Sequence, residues 1–264
     1  MSFSKIFAAA FSASCLIALP VLAQAPAAPV VAANAPVTRD QIPQLVREAL
    51  INDPTILKDA VEKMQAKQEE DSQKQAKEGI IKNKDKLFAD VNSPVVGAAD
   101  ADVTVVEFFD YHCGYCKKIL PDILQLIEKD KKVRVVFKEF PILSEDSALA
   151  SRAAIAVNRI AKEKYLDFHK AMFAMKGKFA EKDIFAEAKK LGIDSAKLKA
   201  EMAKPEIDAE LDKNRKLAAD LGVRGTPAVI IGEEFMPGAV PYETMQKAVD
   251  ATRAAGKKAP VDKK

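Results

Sequence analysis

Short continuous runs of apolar residues alternate along the chain with stretches in which apolar residues recur at helical spacing. Three runs, 103–109, 133–137 and 228–231, have the pattern of strands buried in the middle of a sheet. Between the first two, residues 114–130 repeat apolar positions at helical spacing, and Pro121 is expected to kink that helix. This order of strand, helix and strand predicts a parallel pair joined by a right-handed crossover.

A long block of helical spacing separates the second predicted strand from the third. Residues 145–221 contain enough apolar repeats for four or five helices, and sheet character returns at 228–231 and 235–236. The last helix is predicted over residues 242–254. The predicted fold class is therefore α/β, with residues 91–256 forming a sheet domain that carries one helical insertion.

Two amphipathic helices are predicted ahead of the sheet domain. Thr38 and Gln41 have the spacing of a capping box, and apolar residues then recur at helical spacing as far as Leu50. Asp53 is expected to cap a second helix with Pro54 at its first position, where a backbone N–H is not needed.

The second of these helices is almost wholly polar between Gln65 and Lys77, so we expect that part to run through solvent. The two short apolar stripes that precede it cannot bury each other well. Self-association into a homodimer or homotrimer would cover them, which makes residues 38–90 a helical oligomerisation arm and stalk. The alternative is that residues 38–64 fold back onto their own domain.

The first residues have the pattern of an export signal. Lys5 precedes an apolar segment, 6–22, and a small-residue cleavage site, so residues 1–23 are predicted to be a signal peptide. A membrane span is the alternative, but Pro20 and the Ala/Pro-rich stretch that follows favour a signal peptide and a flexible linker, 24–37. We therefore expect an exported protein.

Composition and charge narrow the classes of function. The hydrophobic fraction of 48% suffices for a core, and the formal net charge of +3 gives no reason to expect a nucleic-acid partner. The chain lacks Trp and is only 6% aromatic, which also argues against a base-stacking surface. We interpret residues 257–264 as a solvated basic tail.

Removal of the signal peptide, with Cys15, leaves Cys113 and Cys116 as the cysteines of the chain. An oxidising compartment lets disulfides persist, but this pair closes too short a loop to restrain the unfolded chain, so a purely structural disulfide is a weak interpretation. Zinc needs four ligands, and only His112 and His169 are available besides the cysteines. We predict neither a metal nor a cofactor.

A redox role explains the two cysteines better. Cys113 is expected at the N-cap of the helix that follows, where free N–H groups and the helix dipole favour a thiolate. Such positions lower a thiol pKa to roughly 3.5–7.5, against about 8.5 for a free cysteine. Cys116, one turn later, should be more buried. We therefore predict that Cys113 forms a mixed disulfide and that Cys116 resolves it.

Two further features point to the same chemistry. Glu107 interrupts the apolar strand, so it is either a buried neutral acid that accepts the proton of Cys116 or the partner of Lys138 in an ion pair. The segment 222–227 places glycines before Pro227 at the start of a strand. That segment is either an ordinary turn or a cis-proline loop whose backbone edge pairs with an extended client peptide.

These motifs, in this order, resemble the DsbA-like thiol-disulfide oxidoreductases of the thioredoxin fold over roughly residues 90–255. The resemblance rests on four features, namely the string EFFDYHCGYC at 107–116, the segment FKEFP at 137–141, the helical insertion, and Gly-Thr-Pro at 225–227. It implies a thioredoxin-like fold with a helical insertion in a bacterial periplasmic enzyme.

The resemblance also implies roles for single residues. Cys113 corresponds to the nucleophile, Cys116 to the resolving cysteine, Glu107 to the buried acid, and Thr226-Pro227 to the cis-proline loop. Gly114 and Tyr115 between the cysteines, together with Thr226 and Pro227, are expected to contact the substrate.

Further details suggest partners and a division of labour. Gly114-Tyr115 and the threonine before the proline are similar to the DsbC and DsbG isomerases, and the arm resembles that of ScsC-type proteins. The implied partners are unfolded or misoxidised exported proteins and a membrane redox partner of DsbB or DsbD type. The leading hypothesis is an oxidase or isomerase of disulfides, with a thiol reductase or a non-enzymatic periplasmic chaperone or surface protein as alternatives.

Overall fold

The computed structural model describes residues 36–258. The predicted signal peptide, the linker as far as residue 35 and residues 259–264 of the basic tail lie outside the described residues. The described chain divides into two units, one ending at Ala60 and one starting at Val61. None of the described helices is long and apolar enough to cross a membrane.

The first unit contains helix α1 (Ile42–Asn52) and the start of α2 (Thr55–Lys82). The predicted capping box is half formed, since the Thr38 N–H donates to Gln41 Oε1 at 3.0 Å while Gln41 itself occupies the N-cap without a side-chain bond. Asp53 caps α2 as predicted, accepting the Thr55 N–H at 3.0 Å. The apolar side chains of this unit are exposed: Val37, Ile42, Leu45, Val46, Leu50, Ile51, Ile56 and Leu57.

The second unit is built on a five-stranded sheet of order β1-β3-β2-β4-β5. The strands are β1 (Val95–Gly97), β2 (Val103–Phe109), β3 (Val133–Glu139), β4 (Ala228–Ile231) and β5 (Glu234–Pro237). The predicted pairing of β2 with β3 is parallel, and the remaining pairs are antiparallel. The α/β fold class is therefore confirmed, and the short strand β1 is an element that the sequence pattern did not predict.

Helices cover the sheet and form the predicted insertion. The helices of this unit after α2 are α3 (Lys84–Phe88), α4 (Gly114–Lys129), α5 (Glu145–Ile160), α6 (Tyr165–Ala174), α7 (Glu181–Lys190), α8 (Ser195–Met202), α9 (Pro205–Asp220) and α10 (Tyr242–Lys258). Five of them, α5 to α9, lie between β3 and β4, which agrees with the predicted block of four or five.

The two faces of β2 belong to different hydrophobic cores. Val105 and Phe109 pack in the larger core, with α4 and the insertion helices. Val106 and Phe108 pack in a smaller core with residues of α2 and α9. Because successive side chains of a strand point to opposite faces, this single strand carries the residues of both cores.

Helix α2 does not stay in solvent as far as predicted. Its side chains are exposed as far as Asp71, but Ala76, Gly79 and Ile80 are buried. A Cβ added at Gly79 would lie 2.7 Å from the carbonyl oxygen of Asp220, so the approach of the two backbones requires glycine there. The expectation of a solvated helix through Lys77 is therefore wrong over its last turns, because small side chains let the helix dock on the sheet domain.

Candidate active site

The dithiol lies directly after the central strand β2. Cys113 is the N-cap residue of α4, and its Sγ accepts the Cys116 N–H at 3.4 Å. This agrees with the predicted N-cap position. Cys113 is 7% exposed and Cys116 is 0% exposed, so the first thiol of the pair is the accessible one. Both cysteines are free thiols.

The turn before Cys113 is held by Asp110, a residue whose role the sequence analysis missed. Asp110 is fully buried, and its Oδ1 accepts the His112 N–H at 2.8 Å. Its Oδ2 accepts the N–H groups of Ile142 and Leu143 at 2.8 and 2.9 Å. One carboxylate therefore fixes the dithiol turn to the loop after β3. The available signal was an acidic residue immediately after a buried strand, where a free carboxylate would be costly.

The predicted cis-proline loop lies beside the dithiol. The Thr226–Pro227 peptide bond is cis, and the Cys113 thiol donates to the Thr226 carbonyl oxygen at 3.2 Å. Gly222, at the start of the loop, has a φ of +71°, which favours glycine. Folding thus brings together two motifs that lie 113 residues apart in the sequence.

Glu107 is buried on the same side of the sheet as the dithiol. It is 1% exposed, and its Oε2 has no hydrogen-bond partner among the described residues. Burial raises the pKa of Glu107 to about 8, and the charge of Cys113 acts in the same direction. Burial, followed by the charge of Glu107, also raises the pKa of the Cys116 thiol. A protonatable carboxyl thus lies within electrostatic reach of both sulfurs.

The alternative ion pair between Glu107 and Lys138 is wrong. In the β2–β3 register Glu107 is opposite Phe137, so Lys138 shares its face with Phe108 instead. The fully buried Lys138 Nζ donates to Asp90 Oδ2 at 2.6 Å. The same ammonium group donates to the Ser93 hydroxyl at 2.8 Å, so the partners of Lys138 lie on the face of the sheet opposite to Glu107.

A second buried polar group was not predicted. The Tyr111 hydroxyl lies 3.0 Å from His169 Nδ1 and 3.3 Å from Glu139 Oε1. Burial lowers the pKa of His169 to about 3 and holds the pKa of Glu139 well above its ordinary range. His169, which the sequence analysis considered only as a possible zinc ligand, is therefore neutral and contacts Tyr111 of the dithiol turn. His112 Nδ1 lies 2.6 Å from the Ser144 hydroxyl.

The two residues between the cysteines have no packing role in the described chain. Tyr115 is 65% exposed, and a Cβ added at Gly114 would meet nothing within 4 Å. Ile142 and Leu143, which Asp110 holds beside the dithiol turn, are also exposed apolar side chains. The dithiol is therefore bordered by an exposed apolar surface. Among the described residues, no group of three or more His, Cys, Asp or Glu side chains is arranged to hold a metal ion.

A dithiol at a helix N-cap, a cis-proline beside it and a buried acid beneath it define a thiol-disulfide oxidoreductase of the thioredoxin fold. The chain belongs to the DSBA-like thioredoxin domain family, whose model matches residues 104–250. Residues 39–70 match the N-terminal domain of the copper resistance protein ScsC.

Individual relatives agree with this assignment. Disulfide bond formation protein D of Bacillus subtilis (strain 168) is 26% identical and aligns with 60% of this chain and 75% of its own length. The thiol-disulfide exchange protein alpha-DsbA2 of Wolbachia pipientis is 37% identical, with a TM-score of 0.64 over 68% of this chain and 96% of its own. Proteus mirabilis ScsC in a compact conformation is 32% identical, with a TM-score of 0.64 over 83% of this chain and 100% of its own. The family resemblance stated from the motifs is therefore confirmed.

Proposed function

We propose that this protein forms or isomerises disulfides of exported proteins in the periplasm through Cys113 and Cys116. The observation that carries the proposal is the position of the Cys113 sulfur, which sits at a helix N-cap and 3.2 Å from the Thr226 carbonyl oxygen. A client sulfur that approaches Cys113 along this loop meets the one partly accessible sulfur of the pair, while Cys116 stays behind it.

Oxidation of a client follows from this order of the sulfurs. A client thiolate attacks Cys113 Sγ of the oxidised pair, the Cys113–Cys116 bond breaks, and Cys116 leaves with the electron pair. A second client thiolate then attacks the client sulfur of the mixed disulfide and releases Cys113. The client has lost two electrons, and the dithiol has gained them.

Isomerisation starts instead from the reduced dithiol. Cys113 attacks a wrong client disulfide, and a different client thiol resolves the mixed disulfide, so no net electrons are exchanged. If no client thiol does so, Cys116 attacks Cys113 and releases the reduced client. The chain then needs a reductant to act again.

Glu107 supplies the proton transfer in both directions. Cys116 must lose a proton before it attacks and must gain one after it leaves, and burial disfavours its charged form. A carboxyl with a pKa of about 8 and an oxygen without a partner is suited to exchange that proton near neutral pH. We assign Glu107 this role.

The first unit is proposed to join copies of the chain into a homodimer or homotrimer. Its apolar side chains are exposed from Ile42 to Leu57. Residues 39–70 match the ScsC N-terminal domain, which supports an N-terminal arm distinct from the catalytic domain. Several dithiols in one assembly would face a client together, and a membrane redox partner of DsbB or DsbD type would reset them.

The test of this function uses three substrates. Recovery of activity from scrambled ribonuclease supports isomerisation, oxidation of reduced ribonuclease supports disulfide formation, and reduction of insulin alone supports a reductase. All three activities are expected to disappear in Cys113→Ser. Cys116→Ser is expected to accumulate mixed disulfides with the client. An activity on exported proteins that survives Cys113→Ser would favour the chaperone alternative and contradict the proposal.

A further inference from the structure

A cleft of about 900 Å³ lies within the second unit, and the cis-proline loop forms part of its lining. One wall is helix α2 between Met64 and Gln75. The other wall is the loop that leads from Gly222 into β4, together with Phe235 and Pro237 of β5 and the adjacent Gly238. We call this space the stalk cleft. Its volume falls in the range of about 300–1,000 Å³ that is typical of ligand sites.

The lower part of α2 is fixed to the sheet domain by specific contacts. The Gln73 side-chain amide donates to the Phe235 carbonyl oxygen at 3.3 Å, and Lys77 pairs with Glu233 at 3.0 Å. A Cβ added at Gly222 would lie 3.1 Å from the side chain of Gln75. Together with the buried Ala76 and Ile80 of α2, these contacts hold the wall of the stalk cleft in place.

The helical wall is polar and uncharged at its centre. The side chains at spacings of three, four and three residues share one face of the helix and line the stalk cleft: Gln65, Gln68, Ser72 and Gln75. The opposite wall contributes the apolar residues Pro227, Phe235 and Pro237. The charged lining is balanced, since it contains two basic residues, Lys67 and Arg224, and two acidic ones, Glu69 and Asp71.

The stalk cleft is linked to the reacting sulfur through the cis-proline loop. Thr226 and Pro227 line it, and the Thr226 carbonyl oxygen accepts the hydrogen bond from the Cys113 thiol. A polypeptide whose cysteine is joined to Cys113 therefore has the stalk cleft directly beside it. Side-chain amides donate to and accept from peptide groups whatever the sequence, and the balanced charge rejects neither acidic nor basic chains.

We propose that the stalk cleft binds the extended segment next to the reacting cysteine of a client, so that helix α2 forms one wall of the client site. This inference rests on the proposed function. It names the substrate class as unfolded polypeptide of any net charge, rather than small disulfides, because only a polypeptide extends from Cys113 as far as α2.

A trapped complex tests the placement directly. Cys116→Ser is joined through Cys113 to a short unstructured peptide that carries one cysteine and a benzophenone side chain a few residues away. After irradiation, mass spectrometry is expected to find cross-links to α2 between Met64 and Gln75. Cross-links confined to the exposed side chains Tyr115, Ile142 and Leu143 would place the client on the other side of the dithiol and overturn the proposal.

A pair of matched variants tests the energetics. Gln68→Trp fills the stalk cleft, whereas Lys74→Trp adds the same side chain at an exposed position of α2 that does not line it. Two rate constants are measured, one with a peptide–glutathione mixed disulfide and one with glutathione disulfide. The ratio of peptide to glutathione rate constants is expected to fall about five-fold in Gln68→Trp, for the loss of one or two hydrogen bonds, and to stay constant in Lys74→Trp.

The outcomes separate the two proposals. A constant ratio in Gln68→Trp, with Cys113-dependent exchange intact, overturns the stalk cleft and leaves the proposed function standing. An equal fall of the ratio in both tryptophan variants also overturns it, because the effect then comes from the helix surface in general. If the unaltered protein exchanges with neither substrate, the proposed function and this inference fail together.

Discussion

Burial of Glu107 imposes a pH-dependent cost on the folded state. The carboxyl has a pKa of about 8 in the folded protein against an ordinary value of 4.5. The unfolded chain therefore loses this proton near pH 4.5, whereas the folded protein keeps it, so stability is fully present below pH 4.5 and falls as pH rises toward 8. At about 1.4 kcal/mol per pH unit, the loss at pH 7 is about 3 kcal/mol.

Glu107→Gln removes this cost because the amide keeps the shape of the acid and cannot ionise. The amide adds an N–H donor without a partner, which offsets about 1 kcal/mol of the stability gained by removing the ionisable group. We therefore expect the free energy of unfolding of the reduced protein to rise by about 2 kcal/mol at pH 7, measured by urea titration. The gain should vanish at about pH 5 and become a loss of about 1 kcal/mol at lower pH, where only the penalty of the amide remains. In a Cys113→Ser background the gain should shrink but persist, because burial is the larger cause of the raised pKa.

The same variant separates stability from chemistry. Resolution of the mixed disulfide by Cys116 is expected to slow by roughly 10²-fold in Glu107→Gln, since a positioned base contributes at least that much. A stability gain that does not change with pH would refute the buried neutral acid. A normal pH-dependent gain with unchanged resolution would instead keep Glu107 as a buried acid and remove it from the reaction.

Other contacts lead to further predictions. Asp110→Ala removes the acceptor of three backbone N–H groups, so we expect it to lower the free energy of unfolding, measured by urea titration, by about 3 kcal/mol. Asp110→Asn keeps one oxygen acceptor and should lower it by less. Equal losses in the two variants would contradict these hydrogen bonds. Burial raises the pKa of Asp90, but hydrogen bonding from Lys138 and other groups outweighs it and holds this pKa below its ordinary 3.8. The ion pair therefore stabilises the folded protein above pH 3.8, and this stabilisation is lost as pH falls. Asp90→Asn should therefore flatten the acid limb of a stability profile, and an unchanged acid limb would refute the pair. Leu45→Glu should reduce the mass in sedimentation velocity to that of a single chain while Arg47→Glu should not, and an unchanged mass in both would exclude an assembly through the arm.

The dithiol could be placed from the sequence because its signals are local. The buried run 103–109, the two cysteines and the helical spacing of 114–130 follow one another without a gap, so each limits the position of the next. Because the strand ends just before Cys113 and the helix starts just after it, Cys113 is predicted at the N-cap, where the structure places it. The position of Pro227 ahead of a strand was also predictable from local sequence, since proline is confined to strand starts, edges and bulges.

The surroundings of Glu107 could not be settled in this way, because they depend on strand register. From the sequence alone, Glu107 could form an ion pair with Lys138, because the register between β2 and β3 was unknown. In a parallel pair, a shift of one residue would exchange the two faces of the sheet and reverse the answer. The register is set by packing on both faces, which neither strand encodes alone.

The docking of α2 was missed for a different reason. Its buried residues are few, and the only large one, Ile80, stands among polar and charged neighbours, so the helix has almost no apolar stripe. The contact depends on the absence of a side chain at Gly79, which lets the helix approach the Asp220 carbonyl. A search for hydrophobic periodicity depends on large apolar side chains at regular spacing, whereas this contact needs a close backbone approach at Gly79. A single glycine in a helix does not show which residue it approaches.

Strand β2 separates the residues proposed for proton transfer from those proposed for client binding. Glu107 faces the side of the sheet that carries the dithiol, while Val106 and Phe108 face the side on which α2 packs. Docking of α2 on that second side places Gln68 and Ser72 across the stalk cleft from the cis-proline loop. Because the two faces are separate cores, substitutions at Gln68 or Ser72 leave the burial of Glu107 unchanged. We therefore expect sequence changes in this part of α2 to alter which polypeptides are accepted and to leave the pH dependence of resolution as it is.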